Sequence, residues 1–266
     1  LHKVAMPMNN QSLSLFNRRY KAIRKEKSYY NKFIFNGHFT VFLLILLGAF
    51  IFGYGEWLQH IPQHIDYALF ASIAVALVSL FPIRTLLKDA DKIFLLPFEK
   101  HMKDYMQVSL IYSYSSRIFL QVILLIILFP LFYRLNDNHF AFYIVFAISA
   151  IIFPYLGLLV KWQWLKLNLS SWTINLLLFV LFGITFYLIL RFHNYFAIIF
   201  IFIVGVLLLI LKLNSKKQLF PWERMIAIEQ QKHTNYYKFV NMFTDVKHLR
   251  ESAVRRSEER RVGKEC

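Results

Sequence analysis

The sequence runs to 266 residues, of which 58% are hydrophobic and 28 are Phe, while 17% are charged against roughly 25% in globular proteins. Its 31 Lys and Arg oppose 15 Asp and Glu, a formal charge of +16. Disordered and acidic classes are thereby excluded. Because the basic residues fall between apolar runs of about 20 residues rather than along a groove of a water-soluble core, the chain reads as a multi-pass membrane protein and not as a nucleic-acid binder.

In chain order, residues 1–38 form a basic N-terminal segment in which Met6-Pro7-Met8 is the expected start of the protein. Six apolar runs follow, at 39–58, 67–87, 117–133, 139–160, 172–190 and 195–213. With no water in the bilayer core to satisfy backbone groups, each is expected to be a helix, making an all-α transmembrane bundle over 39–213, with Pro82 kinking the second span. No cleavable signal peptide is expected, because the first run is long and lies far from the N-terminus. Residues 214–255 are read as an amphipathic segment leading to further C-terminal spans absent from this sequence. Residues 256–266 resemble the in-frame translation of a sequencing-adapter oligonucleotide and are set aside as an artefact. They contain the chain's one cysteine, Cys266, so the remainder offers no disulfide, thiolate metal site or cysteine nucleophile.

Orientation follows from Lys and Arg bias. Residues 1–38 hold eight, 84–117 six, 161–166 two and 212–255 nine, whereas the intervening loops hold only Arg134 and Arg191. Both ends of the sequence, and the loop 84–117, should therefore face the cytoplasm at a cell membrane. Trp57, Trp162, Trp164 and Trp172 lie at span ends and read as interfacial anchors.

The expected spans carry no charged residue away from their ends, which argues against a proton-coupled carrier or a cation channel. Gln121, Asn175 and Thr185 are read as interhelical hydrogen-bonding residues. Neither an intramembrane protease motif nor a Gly-x4-Gly-Lys-[Ser/Thr] loop is present, so no catalytic, cofactor or metal site is expected in this chain. His60 and His64 are four apart beside Glu56 and Asp66, but Pro62 breaks the helix that would aim them together, leaving a solvated loop as the expectation. Gly48, Gly53 and Gly55 are candidates for a close-packing face on the first span.

Two cytoplasmic segments stand apart from plain linkers. Residues 88–100 wrap charge around an apolar centre, with Asp89, Asp91, Ile93, Phe94, Leu95, Leu96, Pro97, Phe98 and Glu99. Too short to cross and too apolar to float free, this stretch is expected to form a short helix on the membrane surface, broken at Pro97, with the apolar residues as docking anchors and the carboxylates on a solvated rim. After the sixth run comes Phe220-Pro221-Trp222-Glu223, where Pro221 suits a first helical turn and Glu223 complements the helix dipole. An amphipathic helix is expected from there through Phe243.

These two segments, together with Asn241-Met242-Phe243-Thr244-Asp245-Val246 and the N-terminal Arg18-Arg19-Tyr20 and Asn36-Gly37-His38-Phe39, resemble the EcsB family, the membrane subunit of the Ecs ABC transporter of Gram-positive bacteria. The resemblance covers residues 8–255 and departs at Lys247, where the family is expected to carry Pro. It implies a permease without its own ATPase, energised by a separate cytoplasmic ATP-binding subunit, EcsA, in an exporter linked to protein secretion and to regulated intramembrane proteolysis. It also implies ATPase docking at residues 89–99 and a family-like cytoplasmic motif at Pro221, Trp222, Glu223, Phe243, Thr244 and Asp245. The alternative is a membrane scaffold or regulator of an intramembrane protease that transports nothing.

Overall fold

The computed structural model describes residues 8–35, 37–62, 64–95, 97, 99, 102–135, 140–192, 196–215 and 220–243. The described residues are helical, without strands: α1 (Met8–Ile34), α2 (Gly37–Gln59), α3 (Tyr67–Ser79), α4 (Asp91–Phe94), α5 (Met102–Leu135), α6 (Phe140–Lys166), α7 (Ser171–Phe192), α8 (Phe196–Ser215) and α9 (Trp222–Phe243). By length and composition α2, α5, α6 and α7 are long and apolar enough to cross a membrane, and the apolar α3 and α8 stand where the other two spans are predicted.

Two cores organise the bundle. The first lies among α3, α6, α7 and α8, where Val75, Phe146, Phe153, Phe182, Phe186 and Phe200 are buried together. Its centre is aromatic, with Phe153 at 4.5 Å from Phe200 and 5.6 Å from Phe186 between ring centroids. Gly157 lets α7 come close: a Cβ there would stand 3.0 Å from Phe182 Cζ. The second core lies at the end of the bundle that carries most of the Lys and Arg, called here the basic end. It gathers Phe16 of α1, Phe81 and Leu86, Tyr105 and Met106 of α5, Leu158 and Trp162 of α6, and Trp222, Met225 and Ile226 of α9.

α2 is peripheral, with no buried residue. It is tied to α5 by Tyr54, whose hydroxyl donates to Ile127 O at 2.6 Å, and by Arg134, which donates to Leu58 O. A Cβ at Gly48, Gly53 or Gly55 would meet nothing within 4 Å, so the expected close-packing face is unused among the described residues.

The second predicted span is shorter than its hydropathy. α3 stops at Ser79, and residues 80–88 run on as irregular chain. Pro82 has no N–H to donate and disfavours helical geometry at Phe81, so the helix ends ahead of it. Leu80, at φ −75° and ψ 65°, makes the turn, with Phe81 N–H donating to Ser79 O at 2.8 Å, the signature of an inverse γ-turn. At 13 residues α3 reaches only about 20 Å, short of the roughly 30 Å hydrocarbon core. α5, by contrast, has 34 residues and spans about 50 Å, longer than the hydrocarbon core, and its first part is buried in the second core at the basic end.

Asp66 caps α3, accepting from Ala68 N at 3.1 Å and Leu69 N at 3.3 Å, and also accepts the Tyr187 hydroxyl of α7 at 3.1 Å. His60 and His64 are exposed in the same connection. Gln121 of α5 donates to Ser79 Oγ at 3.0 Å, the interhelical bond expected of it, whereas Thr185 back-bonds to Leu181 O within its own helix at 2.8 Å. Asn175 is half-buried on α7. Of the four tryptophans expected as interfacial anchors, Trp172 is exposed and Trp57 borders on exposed, Trp164 donates to Ser170 O, but Trp162 is buried against Phe220 with centroids 5.5 Å apart. It belongs to the second core because Phe220 folds back onto the end of α6.

Candidate functional site

Buried non-helical backbone is tolerated only where neighbouring groups satisfy its amides and carbonyls. Residues 80–88 show how: Phe81, Ile83, Thr85, Leu86 and Leu87 are all buried, and four long helices together with the short α4 supply hydrogen bonds. Lys161 of α6 donates to Phe81 O at 2.9 Å, and Lys232 of α9 donates to Ile83 O. On α5, Ser113 Oγ accepts from Arg84 N at 2.7 Å, and Ser109 Oγ donates to Arg84 O at 2.6 Å. The Tyr105 hydroxyl donates to Thr85 O at 2.7 Å, while Glu229 Oε2 of α9 accepts from Thr85 N at 3.0 Å. Arg19 of α1 reaches Leu86 O at 3.3 Å, and Asp91 Oδ2 accepts from Lys88 N at 2.7 Å. Leu86 holds φ 55°, a left-handed conformation that costs a non-glycine residue on the order of 1–2 kcal/mol and persists here because its surroundings fix it.

One ion pair locks the segment to the short helix that follows. Arg19 makes a bidentate contact with Asp91, NH1 to Oδ2 at 2.7 Å and NH2 to Oδ1 at 2.5 Å, with the two side chains 11% and 6% exposed. NH1 also donates to the Tyr105 hydroxyl at 3.2 Å. Asp91 therefore does not lie on a solvated rim, as its place in a charged stretch suggests; α1 covers it. Asp89 is exposed and accepts from Gln230 of α9.

Around this lock the anchors point outward. Ile93 is 76% and Phe94 71% exposed, while Leu95 is half-buried and Pro97 exposed. α4 covers only Asp91–Phe94, shorter than the stretch expected to be helical. Leu96 and Phe98 lie outside the described residues. Glu99 accepts from Phe220 N at 2.9 Å, and Lys92 pairs with Glu223 at 2.8 Å, an exposed contact of little energetic weight. The two segments singled out in the sequence, 89–99 and 220–223, thus meet at the basic end. Pro221 precedes α9, and Trp222 is buried in the second core. Phe243 ends α9, and Thr244 and Asp245 lie outside the described residues, as do residues 256–266.

A small cavity of about 90 Å³ adjoins the segment, walled by Lys27, Arg84, Glu229, Lys232 and Tyr236 among others. Burial pushes the Lys232 ammonium down to about 8 and Arg84 and Arg117 push the same way, against the pull of Glu229.

The family model described as "Bacterial ABC transporter protein EcsB" matches residues 13–262. The chain belongs to the EcsB family. It is 28% identical over 255 residues to Protein EcsB of Bacillus subtilis (strain 168), covering 94% of this chain and 62% of that relative. No solved structure matches. Membership makes this chain a membrane-spanning component of an ABC transporter family, as the resemblance implies.

Arg19, part of the stretch that resembles EcsB, has a partner the sequence does not reveal, and Tyr105, Ser109, Ser113, Lys161, Glu229 and Lys232 are not among the candidate site residues the sequence offers. A signal exists for some of them. Tyr105, Ser109 and Ser113 recur every fourth residue, which places three hydroxyls on one face of a helix directly ahead of an apolar run.

Proposed function

We propose that this chain is the permease part of an ABC-type exporter, with its basic end in the cytoplasm and with a separate ATPase, which binds the ATP, docking on Ile93 and Phe94. The observation that carries the reading is the contrast within α4: two large apolar side chains face outward while Asp91, on the same turn, is clamped by Arg19. A push on the anchors would pass through that clamp into residues 80–88, and from there to α1, α5, α6 and α9. The sequence count of 25 Lys and Arg in segments 1–38, 84–117, 161–166 and 212–255, against 2 in the intervening loops, supports the orientation. The link to protein secretion and regulated intramembrane proteolysis belongs to this proposal through the family resemblance.

The test is co-purification. Buried apolar anchors in a docking site each contribute about 2 kcal/mol or more, roughly 30-fold in affinity. Ile93→Ala with Phe94→Ala should therefore cut recovery of the ATPase at least 30-fold in a detergent pull-down, with expression and thermal midpoint unchanged because both side chains are exposed. Undiminished recovery would mean that these residues only touch lipid, and the non-transporting scaffold would become the better reading.

Orientation has its own check. In a Cys266→Ser background, His60→Cys should react with an impermeant maleimide on intact cells, and Gln231→Cys on α9 should react only after lysis. The reverse pattern would place the docking helix outside the cell and sink the proposal.

A further inference from the structure

A second feature of the basic end is a wide cavity of about 730 Å³ between the first half of α5 and the second half of α8, floored by α6. Its walls are graded in depth. Lys103, Lys166 and Lys212, one from each helix, stand at the rim. Seven residues deeper, two helical turns or about 10 Å, the three helices present Leu110, Leu159 and Gly205 to the same cavity. α5 runs into the bundle here while α6 and α8 run out of it, so the match in depth comes from chains of opposite direction. None of the three lysines has a carboxylate partner among the described residues; Lys166 rests on the Trp162 ring, 5.0 Å from its centroid. Glu99, the acid on the wall among the described residues, is engaged with Phe220 N. Gly205 has open space where a side chain would be.

We propose that this cavity binds an anionic glycerophospholipid from the leaflet at the basic end, its phosphate among Lys103, Lys166 and Lys212 and one acyl chain against Leu110, Leu159 and the bare backbone of Gly205. Cationic side chains near an anionic leaflet attract such headgroups, and basic pockets between membrane helices collect them. A free phosphate would satisfy the lysines but leave the apolar depth unfilled. A zwitterionic lipid would fill the depth with no net charge for three cations.

The experiment uses the full chain in detergent, read by thermal midpoint and by native mass spectrometry with added phosphatidylglycerol, phosphatidylcholine or inorganic phosphate. Phosphatidylglycerol should raise the midpoint and remain bound, phosphatidylcholine should do so more weakly, and phosphate alone should do neither. Lys103→Gln with Lys166→Gln and Lys212→Gln should weaken phosphatidylglycerol binding on the order of 100-fold while leaving phosphatidylcholine binding unchanged. Gly205→Leu, whose Cβ would have nothing within 4 Å, should abolish retention of both lipids without lowering the lipid-free midpoint. Equal response to the two lipids, a shift reproduced by phosphate alone, or phosphatidylglycerol retention that survives Gly205→Leu would overturn the proposal. A cavity occupied instead by a protein segment would show the first or the last of these.

Discussion

Arg19→Ala is expected to cost about 3–5 kcal/mol, because it strands the buried Asp91 carboxylate without its guanidinium. The loss is also expected to spread. Arg19 holds Asp91, the Tyr105 hydroxyl and Leu86 O together, so α1 should come away from the second core and residues 80–88 should lose protection. Trypsin would then reach Arg24 and Lys25 at concentrations that leave the parent chain intact. Desolvating two charges is itself costly, so replacing both partners with apolar groups is often neutral or stabilising. Arg19→Met with Asp91→Leu should therefore recover most of the stability that Arg19→Ala loses. If the single and double variants are equally unstable, the pair is not what holds α1 in place.

Hydropathy made the transmembrane part legible because it measures what the bilayer demands. The run at 39–58 corresponds to α2 at Gly37–Gln59, 172–190 to α7 at Ser171–Phe192, and 195–213 to α8 at Phe196–Ser215. The same measure misled at 67–87. The chain beyond Ser79 remains apolar, yet Pro82 denies it helical hydrogen bonds, and its carbonyls and amides go to side chains distant in sequence. Composition records burial and says nothing of who satisfies the backbone. α1 was missed for another reason. Phe16, Arg19, Tyr20 and Ile23 fall at helical spacing on one face, but in a basic stretch that face is sparse and its receiving core exists only once α5 and α9 are in place. Ile93 and Phe94, the proposed anchors, are conspicuous in the sequence as part of an apolar run inside a charged stretch. That Asp91 turns inward is not, since its partner lies 72 residues away.

Glu229→Ala is expected to detach α9 from the extended segment. Glu229 is 4% exposed and accepts the Thr85 N–H at 3.0 Å, so truncation loses a hydrogen bond to a charged acceptor, about 1.5–3 kcal/mol, and leaves a buried backbone donor unpaired. It also removes an acidic group that supports the Lys232 ammonium against burial and against Arg84 and Arg117. Glu229→Gln separates these effects, because its amide oxygen still accepts the Thr85 N–H while the charge is gone. Hydrogen exchange is the direct readout. In Glu229→Ala the amides of residues 80–88 and of α9 should exchange together and at least tenfold faster, in Glu229→Gln the Thr85 amide should stay protected, and in both the amides of α7, in the separate aromatic core, should be unaffected. Faster exchange confined to α9, with residues 80–88 still protected in Glu229→Ala, would show that α1, α4, α5 and α6 suffice to hold the segment and that α9 takes no part in carrying motion from α4.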